Sequence, residues 1–253
     1  MRVVVIGASG HIGSYLVPRL VTAGHDVVTM SRGRRRPYRS HPAWESVDAV
    51  EVDRAAEDDA GHFGARIAAY DADAVIDLIC FTASSAGQLA DALAGTGTYL
   101  LHCGTMWVHG PAVEVPLRED APRRPFGTYG TEKLAIEELL LARTRRGRLR
   151  ATVLHPGHIV GPGWHPVNPR CLADVDTFSR LATGAEVVLP NHGSETLHHV
   201  HADDVAQAFQ LALECPGGAV GEAFHVVSEQ AVSLTGYAEA VAAWFGQSAR
   251  LSY

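Results

Sequence analysis

The sequence is nearly without lysine. Of its 21 basic residues, Lys133 alone is not an arginine. It also lacks any excess of positive charge. With 28 acidic residues the formal net charge is −7, which argues against a nucleic-acid binder needing a basic face. Its four cysteines, Cys80, Cys103, Cys171 and Cys215, form no C-x-x-C pair, so the usual zinc and redox motifs are excluded and free thiols are expected. No apolar run reaches the length of a membrane span. The stretch MRVVVI at 1–6 is too short for a signal peptide and Gly7 follows at once, so a cytoplasmic location is expected. Internal repeats and low-complexity segments are absent as well.

What remains is a chain of 253 residues, 47% apolar and 19% charged, in the range of one globular α/β domain with a sizeable core. Apolar runs at Arg2–Ile6, Asp26–Met30, Ala49–Val52, Ala74–Ile79, Thr98–His102 and Ala151–Leu154 read as buried strands. Between them, helical patterns cover His11–Ala23, Glu57–Tyr70, Ser85–Ala94 and Thr128–Arg146. Segments 31–42 and 104–127, rich in proline and polar residues, read as loops. This alternation predicts a Rossmann-type doubly wound parallel sheet. After about residue 156 the pattern loosens into HPGHIVGPGWHPVNP. A helix near 171–183 and short strands at 187–189 and 197–200 follow. The helix Ala202–Leu213, the strand Ala223–Val227 and the helix Leu234–Phe245 complete the reading. The expected organisation is one domain over 1–253, with a cofactor-binding part at about 1–155 and a small C-terminal substrate-binding lobe at about 156–253.

The first turn reads Gly7-Ala8-Ser9-Gly10-His11-Ile12-Gly13. It follows a strand and opens a helix, the context a dinucleotide fingerprint requires. Glycines let the backbone approach a pyrophosphate, and the helix N-terminus offers N–H groups and partial positive charge. An acid at the end of the second strand would hold the adenosine ribose of NAD. Here that position reads Ser31-Arg32, suited instead to a 2′-phosphate. The expectation is NADP(H) in preference to NAD(H).

Tyr129 and Lys133 lie four residues apart at the start of a predicted helix, so both face one side. A phenol titrating near 10 is a poor acid–base group at neutral pH, and a nearby ammonium lowers it. With seven tyrosines in the chain, a lone lysine meets a tyrosine at this spacing by chance about 3% of the time. Arginine, a broad planar fork, is a poor substitute for a compact charge.

With these residues, the chain resembles the extended short-chain dehydrogenase/reductases, the NAD(P)-dependent epimerase/dehydratase family. The resemblance rests on GASGHIG at 7–13, HCGTMWVHG at 102–110, Tyr129-x-x-x-Lys133, HPGHIVGPG at 155–163 and HHVHADDVAQAF at 198–209. It implies that Thr105 orients a substrate oxygen toward Tyr129, and that Lys133 also holds the nicotinamide ribose. It further implies cofactor contacts from Asp53 and Arg54 near the adenine, from Ile79, Cys80 and Phe81, and from Pro156 and His158. The chain departs from the family pattern at His109, His155 and His158, where Tyr, Arg and Asn are common. It is also short for the extended form, which carries a longer C-terminal lobe; a trimmed lobe and a missing C-terminal segment both fit. The family allows a homodimer through the helices near 85–94 and 128–146.

Fourteen histidines crowd mainly into the second half. His199 and His201 share a strand face, but no metal site is expected. Trp107, His158, Trp164 and His199 are candidate contacts for a small-molecule substrate. The leading reading is an oxidoreductase or epimerase acting on a carbinol/ketone carbon of a sugar-like or secondary-metabolite substrate. The alternative is a non-catalytic NADP(H) sensor of the same fold.

Overall fold

The computed structural model describes residues 1–112 and 114–253; Val113, inside the predicted 104–127 loop, lies outside the described residues. In chain order the elements are β1 (Arg2–Ile6), α1 (Gly13–Thr22), β2 (Asp26–Ser31), β3 (Asp48–Glu51), α2 (Arg54–Asp59), α3 (Phe63–Ala68), β4 (Ala74–Asp77), α4 (Ala83–Ala92), β5 (Tyr99–Cys103), α5 (Gly127–Arg145) and β6 (Arg150–Pro156). There follow β7 (His158–Val160), α6 (Asp176–Ala182), β8 (Glu186–Val188), β9 (Thr196–Leu197), β10 (His199–His201) and α7 (Ala202–Glu214). The last elements are α8 (Pro216–Ala219), β11 (Ala223–Val226), β12 (Val232–Ser233), α9 (Leu234–Trp244) and β13 (Arg250–Ser252).

The chain forms two compact units. The first comprises Met1–Pro156 with Ala202–Val226, and the second Gly157–His201 with Val227–Tyr253. The first unit holds a seven-stranded sheet in the order β11-β6-β5-β4-β1-β2-β3, parallel at each pairing. This is the doubly wound α/β fold expected from the strand–helix alternation. Val3, Val4, Val5 and Ile6 are all buried, because helices cover both faces of a parallel sheet. On one face, Phe63, Ile67, Leu89, Ile136 and Leu140 pack against Val4, Val28, Val75, Leu100 and Val153. Each such side chain contributes roughly 1.5–3 kcal/mol when fully buried. Leu16 and Leu20 of α1 and Val205 and Phe209 of α7 are likewise buried. These two helices are joined by a two-pronged Arg19–Asp203 contact at 2.8 and 2.9 Å.

The predicted helix 57–70 is broken into α2 and α3. Gly61 stands between them at φ +70°, a left-handed turn that ends a helix. No described helix is long and apolar enough to cross a membrane.

The second unit has its own core of Leu181, Val187, Leu189, Leu197, Leu234, Tyr237 and Val241. Its strands are two or three residues long: β7 pairs with β10, β9 with β12 and β8 with β13. The helix expected from 171 begins only at Asp176. Ahead of it the Asn168 side chain organises a turn, accepting from the amides of Arg170 and Leu172 and donating to the Asp174 carbonyl. Gly157 opens this unit at a close approach, since a Cβ there would stand 2.3 Å from the His198 carbonyl oxygen.

Candidate active site

Strand order reverses where β1 is flanked by β4 on one side and β2 on the other. In open α/β sheets, ligands bind at the carboxyl ends of strands beside such a point. The loop of residues 7–13 leaves β1 there and is tied to β2, the amides of Gly7 and Ala8 both donating to the Met30 carbonyl. Gly7 adopts φ +85°, and a Cβ on it would lie 2.6 Å from Ile79 Cγ2. A Cβ on Gly13 would lie 2.1 Å from the Ala8 carbonyl oxygen. Helix α1 opens with no acidic residue in its first turn and no side-chain cap. The amides of Ser14, Tyr15 and Leu16 donate back to the Gly10 and Ile12 carbonyls, so the helical turn runs on from the loop itself, with no carboxylate at its start. Glycine-tight turn, helix N-terminus and missing acid together fit the pyrophosphate of a dinucleotide.

Around this loop, Ser9 is half-buried and His11 and Ile12 are buried. The His11 ring is engaged by the Tyr38 hydroxyl. Ser31 Oγ accepts from the Gly33 amide at 3.3 Å, and Arg32 is exposed. Asp53 stands 3.8 Å from Arg34. Arg54 is buried and committed elsewhere, with Nη1 2.6 Å from Asp77 Oδ1 and Nε 3.0 Å from Ser85 Oγ. Its guanidinium thus closes a polar core contact at the end of β4.

The tyrosine and lysine are brought to the ends of β4 and β5. Lys133 is 2% exposed, and its ammonium donates to the carbonyls of Cys80 (2.7 Å) and Cys103 (2.8 Å). It lies 4.9 Å from the centre of the Phe81 ring. Burial pushes its pKa below the ordinary lysine value. Burial also pushes the Cys80 and Cys103 thiols up to about 11, so both are protonated at neutral pH.

Tyr129 is half-exposed. Its ring meets Trp107 edge-on at 6.0 Å and Phe81 at 6.5 Å. Its phenol lies near the Thr105 hydroxyl. The Thr105 hydroxyl also caps the short turn Met106–His109 by accepting from the Trp107 amide at 3.3 Å. Burial raises the Tyr129 pKa, and the Thr105 hydroxyl opposes that rise. The expectation that Lys133 lowers the phenol's pKa therefore differs from what these groups produce: the ammonium is anchored on two backbone carbonyls, and burial dominates.

Behind Thr105 lies a group that the sequence reading missed. The Thr105 amide donates to His155 Nδ1 at 2.9 Å. His155 Nε2 stands 3.0 Å from Glu137 Oε2, and Glu137 Oε1 accepts from Arg123 at 2.9 Å. Burial opposes ionisation of Glu137, but His155 and Arg123 outweigh it and hold the carboxyl down at about 2. The signal was present: Glu137 repeats the four-residue step from Tyr129 to Lys133. Beyond Arg123, His109 Nε2 and His225 Nε2 are 2.8 Å apart, and burial with nearby cationic groups pushes His109 down to about 4.

Pro156 closes β6 in the first unit. His158, Trp164 and His199 belong to the second. There His158 and His199 are register partners on β7 and β10, with ring centres 6.3 Å apart. Burial lowers the pKa of both. Trp164 is half-exposed in the loop after β7.

Residues 3–226 match the NAD dependent epimerase/dehydratase family. The chain belongs to this family. That bears out the resemblance carried by the glycine loop and the Tyr129–Lys133 pair. Among curated relatives, 2′-dehydrokanamycin reductase of Streptomyces kanamyceticus is 33% identical over 208 residues, 82% of this chain and 56% of the relative. The chain thus spans little more than half of that enzyme. UDP-glucose 4-epimerase of Mycolicibacterium smegmatis is 29% identical, over 89% of this chain and 77% of the relative. Among solved structures, UDP-glucose 4-epimerase of Thermus thermophilus in complex with NAD superposes with a TM-score of 0.76 at 22% identity. That match covers 100% of this chain and 86% of the other, a likeness that establishes the fold.

Proposed function

We propose that this chain is an NAD(P)-dependent oxidoreductase or epimerase acting on a carbinol/ketone carbon of a sugar-like or secondary-metabolite substrate. The observation that carries the reading is the buried Lys133 ammonium held by the Cys80 and Cys103 carbonyls, one helical turn from Tyr129, whose phenol lies near Thr105. A 2′-dehydrokanamycin reductase and UDP-glucose 4-epimerases among the relatives support a sugar-like substrate.

A bound nicotinamide supplies or accepts the hydride. The chain's own residues manage the oxygen. Thr105 donates to the substrate oxygen and holds it toward the phenol. In the reducing direction Tyr129 gives its proton to that oxygen as the ketone becomes a carbinol. In the reverse direction the phenolate takes the proton back. Lys133, fixed in place by two carbonyls, holds the nicotinamide ribose and transfers no proton itself. Phe81 and Trp107 flank the phenol ring. For the cofactor, Ser31 and Arg32 favour NADP(H), since no acid closes β2. In the second unit, the neutral His158 and His199 suit hydrogen bonding to substrate hydroxyls.

Tyr129→Phe tests the central assignment. With NADPH and either 2′-dehydrokanamycin or UDP-glucose as probe, turnover should fall by about 10²- to 10⁴-fold while NADPH affinity is retained. Undiminished turnover would overturn the acid/base role. Stoichiometric NADPH oxidation marks reduction, and product without net oxidation marks epimerisation.

A further inference from the structure

We infer that Glu137 and His155 form a buried positioning pair that fixes Thr105 against Tyr129. The inference rests on the reading of Thr105 and Tyr129 as the working pair. Its structural content, however, is testable without substrate.

The hydrogen-bond directions leave one arrangement. A backbone amide can only donate, so His155 Nδ1, 2.9 Å from the Thr105 nitrogen, must present a lone pair. The imidazole proton then sits on Nε2, the nitrogen that stands 3.0 Å from Glu137 Oε2. Among the described residues neither atom meets a hydrogen-bond partner in line, so the two are paired by proximity and charge in a site closed to water. The ring is fully buried, so no water competes for either nitrogen. The carboxylate is oriented in turn: its other oxygen takes the Arg123 guanidinium at 2.9 Å, and Arg123 is itself held by the carbonyls of Glu119 (2.6 Å) and Ala121 (2.9 Å). An acid that selects the imidazole tautomer, so that the opposite nitrogen serves as an acceptor, follows general second-partner logic for histidines.

Local packing shows why the clamp needs these residues. A Cβ on Gly104 would lie 2.4 Å from His155 Nδ1 and 2.8 Å from Val153 Cγ1. Only glycine lets the chain before Thr105 lie flat on the ring. The Gly104 amide donates to the Leu154 carbonyl at 2.7 Å, so residues 104 and 105 are both sewn to β6. The Thr105 hydroxyl accepts from the Trp107 amide and is left near the phenol. Glu137 shares the α5 face of Tyr129 and Lys133, so one helix presents the proton donor, the fixed charge and the anchor of the positioning pair.

The test follows the Tyr129 phenol by ¹³Cζ NMR of the full chain, titrated with pH, in His155→Asn, His155→Gln, Glu137→Gln and the parent. The asparagine oxygen sits where Nδ1 was and can still accept from the Thr105 amide. Glutamine reaches Glu137 but offers no acceptor at the Nδ1 position. The expected result is a Tyr129 titration moved to higher pH in His155→Gln, as the Thr105 hydroxyl leaves the phenol's side, and restored toward the parent in His155→Asn. Glu137→Gln should show a smaller rise. With any probe that the parent turns over, His155→Gln should lower kcat by roughly 100-fold, the cost of misplacement on the order of 1 Å, with KM little changed. Coincident phenol titrations in His155→Gln and the parent would overturn the proposal; if His155→Gln does not fold, an unmoved phenol in Glu137→Gln does so. The two failures are distinct. Retained turnover in Tyr129→Phe removes the catalytic reading, whereas an unmoved phenol removes only the positioning pair.

Discussion

Replacing Glu137 by glutamine removes one charge from a nearly closed site and leaves the shape intact. The carboxylate side chain is 7% exposed and the partnering Arg123 18%. Its pKa is held at about 2 against an ordinary 4.5. A difference of that size corresponds to roughly 3 kcal/mol at neutral pH, taking about 1.4 kcal/mol per unit. A neutral His155 and the partial solvation of Arg123 both trim the figure, so a loss of about 1–3 kcal/mol is expected in Glu137→Gln. The sign of the pH dependence is fixed by the depressed pKa. The stabilisation is fully present above 4.5, where the unfolded chain ionises, and is lost as pH falls from 4.5 toward 2. At pH 3 about 1–2 kcal/mol of the parent's advantage should have gone. Urea unfolding of parent and variant at pH 7, 5 and 3 measures it. A stability gap that stays constant from pH 7 to pH 3 would refute the reasoning, because a neutral hydrogen-bond loss has no such dependence.

Three further outcomes are expected. Gly13→Ala should abolish dinucleotide binding and destabilise the fold, since its Cβ would lie 2.1 Å from the Ala8 carbonyl oxygen; NADPH fluorescence titration with a thermal melt checks both. Arg32→Ala should weaken NADPH by about tenfold, the loss of one charge-assisted contact, and leave NADH unchanged; an equal loss for both cofactors would remove the 2′-phosphate assignment. His109, pushed down to about 4, is neutral in the folded chain at assay pH. It therefore costs stability as pH falls from 6.5 toward 4, and His109→Gln should flatten the acid side of the stability curve over that window.

The central sheet was legible because its strands are continuous valine- and isoleucine-rich runs closed by glycine or polar residues, a pattern that survives without knowledge of neighbours. Tyr129 and Lys133 were legible because a four-residue step on a helix is itself geometry. Glu137 was not, although it continues the step. Acidic residues on a long polar helix ordinarily face water, and only the packing of β6 against α5 shows that His155 meets this one. The division of 57–70 turned on one glycine in a left-handed conformation, which periodicity does not register. In the second unit, strands of two or three residues are shorter than one alternation of the pleat, so β7, β12 and β13 left no trace. Asn168 delayed α6 through side-chain bonds that no helix propensity describes.

Helix α5 also acts as a common carriage. Tyr129, Lys133 and Glu137 ride on one rod, successive pairs about 6 Å apart along its axis. A shift of that rod displaces all three together, while a rotation turns them through the same angle. Ile136 and Leu140, buried on the sheet, set its seat. Substitutions there, out of reach of any substrate, would retune the phenol, the ammonium and the carboxylate as a single adjustment. Activity would then respond to core volume in steps, with no polar group altered.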